Sequence, residues 1–226
     1  MNTPFTAYEF FEVFRRYNEA VWPMQLVLTA LGLAASVLPA IRRAGTDRVI
    51  ATILTVLWGW MGLVYHIIFF LEINRAALYF GIAFLGAGMV FLLTGVYGTR
   101  LGFEYPHDSR ATAGIVLIGY SLGIYPLLSL WLGAYPAVPT FGAPCPTTIF
   151  TIGLLCFLRP PFPWYVLAVP ILWSAVGSLA VIQFGLVQDL GLAAAGMVGI
   201  WLLYREPWRP VATISRLGCR SNSRDD

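Results

Sequence analysis

Seven stretches of the chain are apolar from one charged residue to the next: 23–41, 49–71, 76–97, 111–132, 144–158, 163–182 and 190–204. A bilayer core of roughly 30 Å takes about 20 apolar residues in a helix, which satisfies its own backbone where water is absent. The pattern predicts an all-α integral membrane protein with seven transmembrane helices, the fifth and seventh of them short. Ahead of the first span the pattern changes. Phe10, Phe14, Tyr17 and Val21 recur every three or four residues opposite Glu9, Glu12, Arg15, Arg16 and Glu19, and Thr6 precedes Glu9 at capping-box spacing. Residues 1–22 are therefore expected to form an amphipathic interfacial helix with Trp22 at headgroup depth, either as a plain anchor or as a gating lid. Its charges interrupt any apolar core, so no signal peptide is expected.

Seven spans put the two ends of the chain on opposite sides, which sorts the arginines into two groups. Arg42, Arg43, Arg48, Arg100, Arg110, Arg159, Arg205, Arg209, Arg216, Arg220 and Arg224 share one side; Arg15, Arg16 and Arg75 hold the other. Eleven against three, or six against three without the C-terminal segment, predicts a cytoplasmic C-terminus and an outer N-terminus. Residues 23–204 would form the bundle. The Arg-rich segment 205–226 has mixed charge and no sustained apolar period, so a disordered cytoplasmic tail is expected. No internal repeat of the inverted-transporter kind is visible.

Composition narrows the chemistry more than the fold. Charged residues make up 11% of the chain and mean hydropathy is +0.74, whereas a soluble domain carries about 25% charged residues. All fourteen basic residues are arginine, so a lysine Schiff base and a P-loop lysine are excluded. Three cysteines and two histidines are too few for a disulfide framework or a His-rich metal cage. His66 and His107 fall on opposite sides and cannot share a haem. Cys145 and Cys156 are about 16 Å apart along one helix, too far for a bridge. No Gly-x-Ser-x-Gly elbow is present, so no hydrolase triad is expected. The arginines line the cytoplasmic boundary, where headgroup contact explains them better than nucleic acid.

The candidate chemistry gathers on the outer side. Between Gly133 and Pro144 there is no charge, yet Pro136, Pro139, Gly142 and Pro144 forbid a regular helix. The helix that follows rises only about 20 Å by Leu158, so the loop is expected to dip into the outer leaflet, where it must be covered or line a wet cavity. With Pro146 in the first helical position, Cys145 becomes the N-cap and Thr147 and Thr148 fall in the first turn. The free N–H groups there would favour a thiolate or an anion; in apolar surroundings Cys145 would instead be an inert buried residue. Asp189 reads as the N-cap of the seventh span or as a functional carboxylate at the hydrocarbon edge. His66 lies about 8 Å inside the second span and caps nothing, leaving an interhelical hydrogen bond or a functional role. Asn74 is expected to cap the third span. His66, Cys145, Thr147, Thr148 and Asp189 are the candidate binding residues. A metal on Cys145, His66 and Asp189 is chemically possible, without a specific spacing signal.

The strings Tyr17-Asn-Glu-Ala-Val-Trp-Pro23, Tyr65-His-Ile-Ile-Phe-Phe70, Phe141-Gly-Ala-Pro-Cys-Pro-Thr-Thr-Ile-Phe-Thr151 and Gln188-Asp-Leu-Gly-Leu192 resemble an uncharacterised bacterial membrane group, domain-of-unknown-function family 6064. The resemblance runs to about Tyr204 and implies a multi-pass bacterial inner-membrane protein, with no activity, cofactor or site residue attached. Three functions fit the residues. A transporter or channel for a small solute or ion, entered through an outer vestibule, stands first. A thiol-redox or metal-handling protein using Cys145 and His66 stands second, and an accessory subunit third. The expected partners are the lipid bilayer and, for a transporter or channel, a small solute or ion; nucleic acid is not expected.

Overall fold

The computed structural model describes residues 4–41, 43–132 and 135–205. The Arg-rich segment beyond Arg205, with Cys219, lies outside them, as do Arg42, Gly133 and Ala134. Among the described residues the chain is all-helical, with no strand longer than an isolated bridge. Helix α1 is Ala7–Ala20. Six helices are long and apolar enough to cross a membrane: α2 (Met24–Ile41), α3 (Thr46–Glu72), α4 (Ala77–Val96), α5 (Ser109–Trp131), α7 (Trp164–Phe184) and α8 (Val187–Arg205). The fifth predicted span is the short helix α6, Pro144–Leu155.

Each helix follows from local chemistry. In α1 the capping box is present: Glu9 N–H donates to Thr6 Oγ1 at 3.2 Å, and Thr6 N–H donates to Glu9 Oε2 at 2.7 Å. Those bonds from Thr6 hold the Glu9 carboxyl below its ordinary range. Asn74 accepts from the Ala76 N–H at 3.0 Å just ahead of α4, and Asp108 accepts from the Arg110 N–H at 2.8 Å to start α5. In α3 the backbone widens into π turns over Met61–Phe69, and the adjacent side chains of Tyr65 and His66 both point inward.

Helix α6 is the centre of the molecule, with all twelve residues buried. A helix enclosed on every face must pair its own polar groups. Thr151 Oγ1 donates to Thr147 O at 2.8 Å and accepts from Trp58 Nε1 at 3.1 Å. Ser121 of α5 donates to Pro146 O at 2.6 Å. Glycines let the backbones close up around it. A Cβ on Gly114 of α5 would stand 2.8 Å from the Gly153 carbonyl and 2.5 Å from the Phe157 ring. A tight crossing of small residues is the usual packing where apolar surroundings offer no hydrophobic drive.

Both ends of α6 are held by irregular chain. At one end, residues 138–143 are mostly buried. Gly142 adopts φ +99°, which favours glycine, and its N–H donates to Thr147 Oγ1 at 2.9 Å. Phe141 lies against Gly32 of α2 and edge-on to Phe150 at 5.3 Å. Asn18 of α1 is fully buried and holds this loop, donating to Pro136 O at 2.6 Å and Val138 O at 2.8 Å. At the other end the connector ahead of α5 tucks in Leu101 and Phe103. Glu104 N–H donates to Phe157 O and Arg159 N–H to Gly102 O, each at 2.8 Å. Asp47 accepts from the Phe103 N–H at 2.8 Å and pairs with Arg159 at 3.1 Å. Arg205 pairs with Asp108 at 3.1 Å on the same end.

The bundle thus has an Arg-rich end, with Asp47, Asp108, Arg110, Arg159 and Arg205, and an α1 end, where Arg16 pairs with Glu72. Between them the exterior is apolar: Leu33, Val56, Ile82, Met89, Leu127 and Ile182 are all exposed. Exposed aromatic residues ring both ends, with Trp22, Tyr79, Trp131 and Tyr135 near α1 and Tyr97, Trp164 and Tyr204 near the arginines.

Candidate functional site

Helix α1 does not lie alone on the surface. Its apolar face is seated on the ends of α3 and α7. Phe10 stacks on Phe184 at 4.2 Å, Phe14 on Tyr65 at 5.5 Å, and Tyr17 accepts from Trp60 Nε1 at 2.8 Å. Burial raises the Tyr17 phenol well above its usual value. Beneath this helix is a cavity of about 200 Å³, walled by Phe5, Phe10, Phe14, Tyr65, Phe80 and Trp173 and reaching Cys145 at the start of α6. Among the described residues its polar lining comes from Asn74, Gln183, Tyr65, Cys145 and Trp173, whose indole nitrogen is buried without a nitrogen or oxygen partner, and no charged residue contributes.

Cys145 is not the N-cap. Ala143 holds that position and Pro144 is the first helical residue, so Cys145 falls second and Pro146 third. Either proline satisfies the preference for an early proline, and the buried turn at Gly142 selects the earlier one. Two of the first three helical residues therefore lack an N–H, and the Thr147 N–H bonds Ala143 O at 3.3 Å. Little of the expected donor-rich anion site remains.

The thiol instead meets a carboxyl. Cys145 interacts with Asp189 and with the indole of Trp173. Asp189, expected either as a cap or as a functional carboxylate, is fully buried in the turn Val187–Asp189 that opens α8. Tyr125 of α5 donates to its Oδ1 at 2.6 Å, and its Oδ2 has no nitrogen or oxygen partner among the described residues. An unpaired carboxyl oxygen in so apolar a place is expensive. Beside it, Tyr120 donates to Gln188 O at 2.7 Å.

His66 stays apart. Its Nδ1 lies 2.9 Å from Met61 O, so that nitrogen is the N–H donor and Nε2 carries a lone pair. The ring sits among Phe84 at 4.5 Å, Trp173 at 5.1 Å and Phe80 at 6.0 Å, and Nε2 has no partner among the described residues. Trp173 is the ring that His66 and Cys145 share. Among the described residues no three His, Cys, Asp or Glu side chains converge as a metal site, so the Cys145, His66 and Asp189 triad does not assemble. Thr147 braces Gly142, and Thr148 is fully buried with its hydroxyl unpaired; neither lines the cavity.

Of the five candidates, Cys145 alone reaches the cavity and Asp189 stands beside it. The walls contributed by Phe10, Phe14 and Trp173 have no sequence signal as a site, because a phenylalanine facing a void and one facing lipid repeat at the same spacing. No curated protein and no solved structure matches the chain. A family does: residues 7–213, a stretch running past Tyr204 into the Arg-rich segment, match its model, and the chain belongs to the family of unknown function DUF6064.

Proposed function

We propose that this is a multi-pass protein of the bacterial inner membrane, crossing it seven times with α1 outside, that takes a small apolar solute into the cavity beneath α1. The apolar exterior and the two aromatic rings support the placement. Tyr79 and Tyr97, on or beside α4, are 18 residues apart, about 27 Å along a helix, which matches a hydrocarbon core of roughly 30 Å. With the arginines collected at the opposite end, α1 faces outward. The short α6 completes the seventh crossing because buried loops extend it at both ends.

The observation that carries the ligand class is the lining. A cavity of about 150 Å³ walled by Leu, Ile and Phe stays dry and accepts benzene. This one, at about 200 Å³, has room for a substituted ring or a short branched chain. It does not suit an ion, which would be stripped of water with no charge to receive it. Passage of such a solute onward, the transporter activity expected from sequence, would require the packed rings of Trp173, Phe84 and Trp58 to part.

The test is equilibrium binding of an uncharged naphthalene probe to the full chain in nanodiscs. Ala180 lines the cavity, and Ala180→Phe fills it. The wild type should saturate with one site per chain and Ala180→Phe should lose that site while keeping its helix content. Equal, unsaturable partitioning into both, matching empty nanodiscs, would end the proposal.

A further inference from the structure

The cavity, the thiol and the carboxyl adjoin in that order. Cys145 touches the cavity and Asp189 does not line it; the Asp189 carboxyl interacts with the thiol; Tyr125 holds Asp189 Oδ1 at 2.6 Å, and Oδ2 has no nitrogen or oxygen partner among the described residues. A buried acceptor with a spare lone pair, next to a thiol that lines an apolar void and itself outside that lining, is positioned to take the thiol's proton when the sulfur reacts toward the void.

We propose that Cys145 is a nucleophile that adds to a conjugated carbonyl compound, an enone or a quinone, seated in the cavity, with Asp189 as its proton acceptor. The sulfur lone pair forms a C–S bond at the carbon β to the carbonyl, the S–H bond breaks, and its proton passes to Asp189. The displaced π pair moves onto the α-carbon and carbonyl oxygen, which takes that proton back. Thiol plus conjugated carbonyl gives one thioether, with no leaving group, oxidant or reductant. Addition suits an apolar site because no polar fragment has to form and leave within it, whereas acyl transfer and disulfide exchange each release a second molecule. A flat conjugated ring also suits walls made of Phe10, Phe14, Tyr65 and Trp173. A free thiolate in such surroundings is costly, so proton transfer accompanies bond formation and a base beside the sulfur becomes necessary.

This inference rests on the apolar-ligand reading, and the experiment separates the two. The full chain in nanodiscs is treated with N-ethylmaleimide, an uncharged conjugated carbonyl, or with a sulfonated maleimide, and adducts are read by peptide mass, while naphthalene-probe binding reports the state of the cavity. N-ethylmaleimide should label Cys145 at least about tenfold faster than the sulfonated reagent, and Cys156, buried in the bundle, should stay unlabelled. Asp189→Asn should slow labelling by about a hundredfold, the low end of a general-base contribution, and restore the tenfold rise per pH unit of an unassisted thiol. Probe binding without labelling overturns this inference alone; absence of probe binding overturns both. Labelling of Asp189→Asn at the wild-type rate and pH profile also overturns it. Should Asp189→Asn fail to fold, Tyr125→Phe keeps the carboxylate and removes one bond to it; probe binding kept with labelling changed supports the assignment, and both unchanged refutes it.

Discussion

Asn18 ties α1 to the loop that begins α6, and its removal has a cost that the structure sets. The amide donates to Pro136 O and Val138 O, and its Oδ1 accepts from Gln25 Nε2 at 2.9 Å and Thr140 Oγ1 at 2.7 Å. In Asn18→Ala the Val138 carbonyl is left buried and unpaired, a loss of about 1–3 kcal/mol. The Pro136 carbonyl is partly open to water and the Gln25 amide keeps the Asn18 carbonyl at 3.1 Å, so each of these loses only the net value of a bond, about 1 kcal/mol. The sum is about 3–5 kcal/mol, concentrated on residues 135–143. Reversible unfolding in mixed micelles measures the total, and amide exchange locates it: the loop and α1 should lose protection together, with α4 and α8 unchanged. Asn18→Asp, which keeps the acceptor but sets a carboxylate against two carbonyls, should do at least as much damage. A change in Asn18→Ala below about 0.5 kcal/mol, the range of an unremarkable surface substitution, would refute the idea that α1 clamps the loop.

Gly114→Ala should cost about 1–3 kcal/mol in the same unfolding assay, because its Cβ meets the Gly153 carbonyl and the Phe157 ring, whereas Gly119→Ala, with nothing within 4 Å, should be neutral or slightly stabilising. Burial works against the Asp108 charge, but the Arg110 N–H and the Arg110 and Arg205 guanidinium groups outweigh it and hold this carboxyl below its ordinary range. A depressed carboxyl contributes stability above the unfolded value near 3.8 and loses it as pH falls through the folded one. Asp108→Asn should therefore flatten the fall in stability below about pH 4 and leave salt-dependent pairing with Arg205 absent at neutral pH.

The helix positions were legible from sequence because their signals are local. The run 76–97 becomes Ala77–Val96 and the run 23–41 becomes Met24–Ile41, and Thr6 and Glu9 form their box. The buried loop was legible for the same reason: four helix-breaking residues with no charge leave few places for a backbone to go. What escaped notice depends on contacts between distant segments. Leu101 and Phe103 sit in a connector that reads as an ordinary polar link, and only the pairing of Glu104 with Phe157 and of Arg159 with Gly102 draws them inward. The N-cap shifted from Cys145 to Ala143 because two prolines compete for one role and the Gly142 turn decides between them. His66 and Cys145 share an end of the bundle and both meet Trp173, yet only Cys145 lines the cavity, a choice made by side-chain packing that spacing does not encode.

Photolabelling distinguishes a binding site beneath α1 from a mere packing gap. A small uncharged aryl diazirine, irradiated with the full chain in nanodiscs and mapped by peptide mass, should mark Phe10, Tyr65, Trp173 and Ala180, and an excess of naphthalene should protect all four together. Labels confined to exposed positions on the apolar exterior such as Leu127, Leu172 and Ile182, with no protection by naphthalene, would show a packing gap.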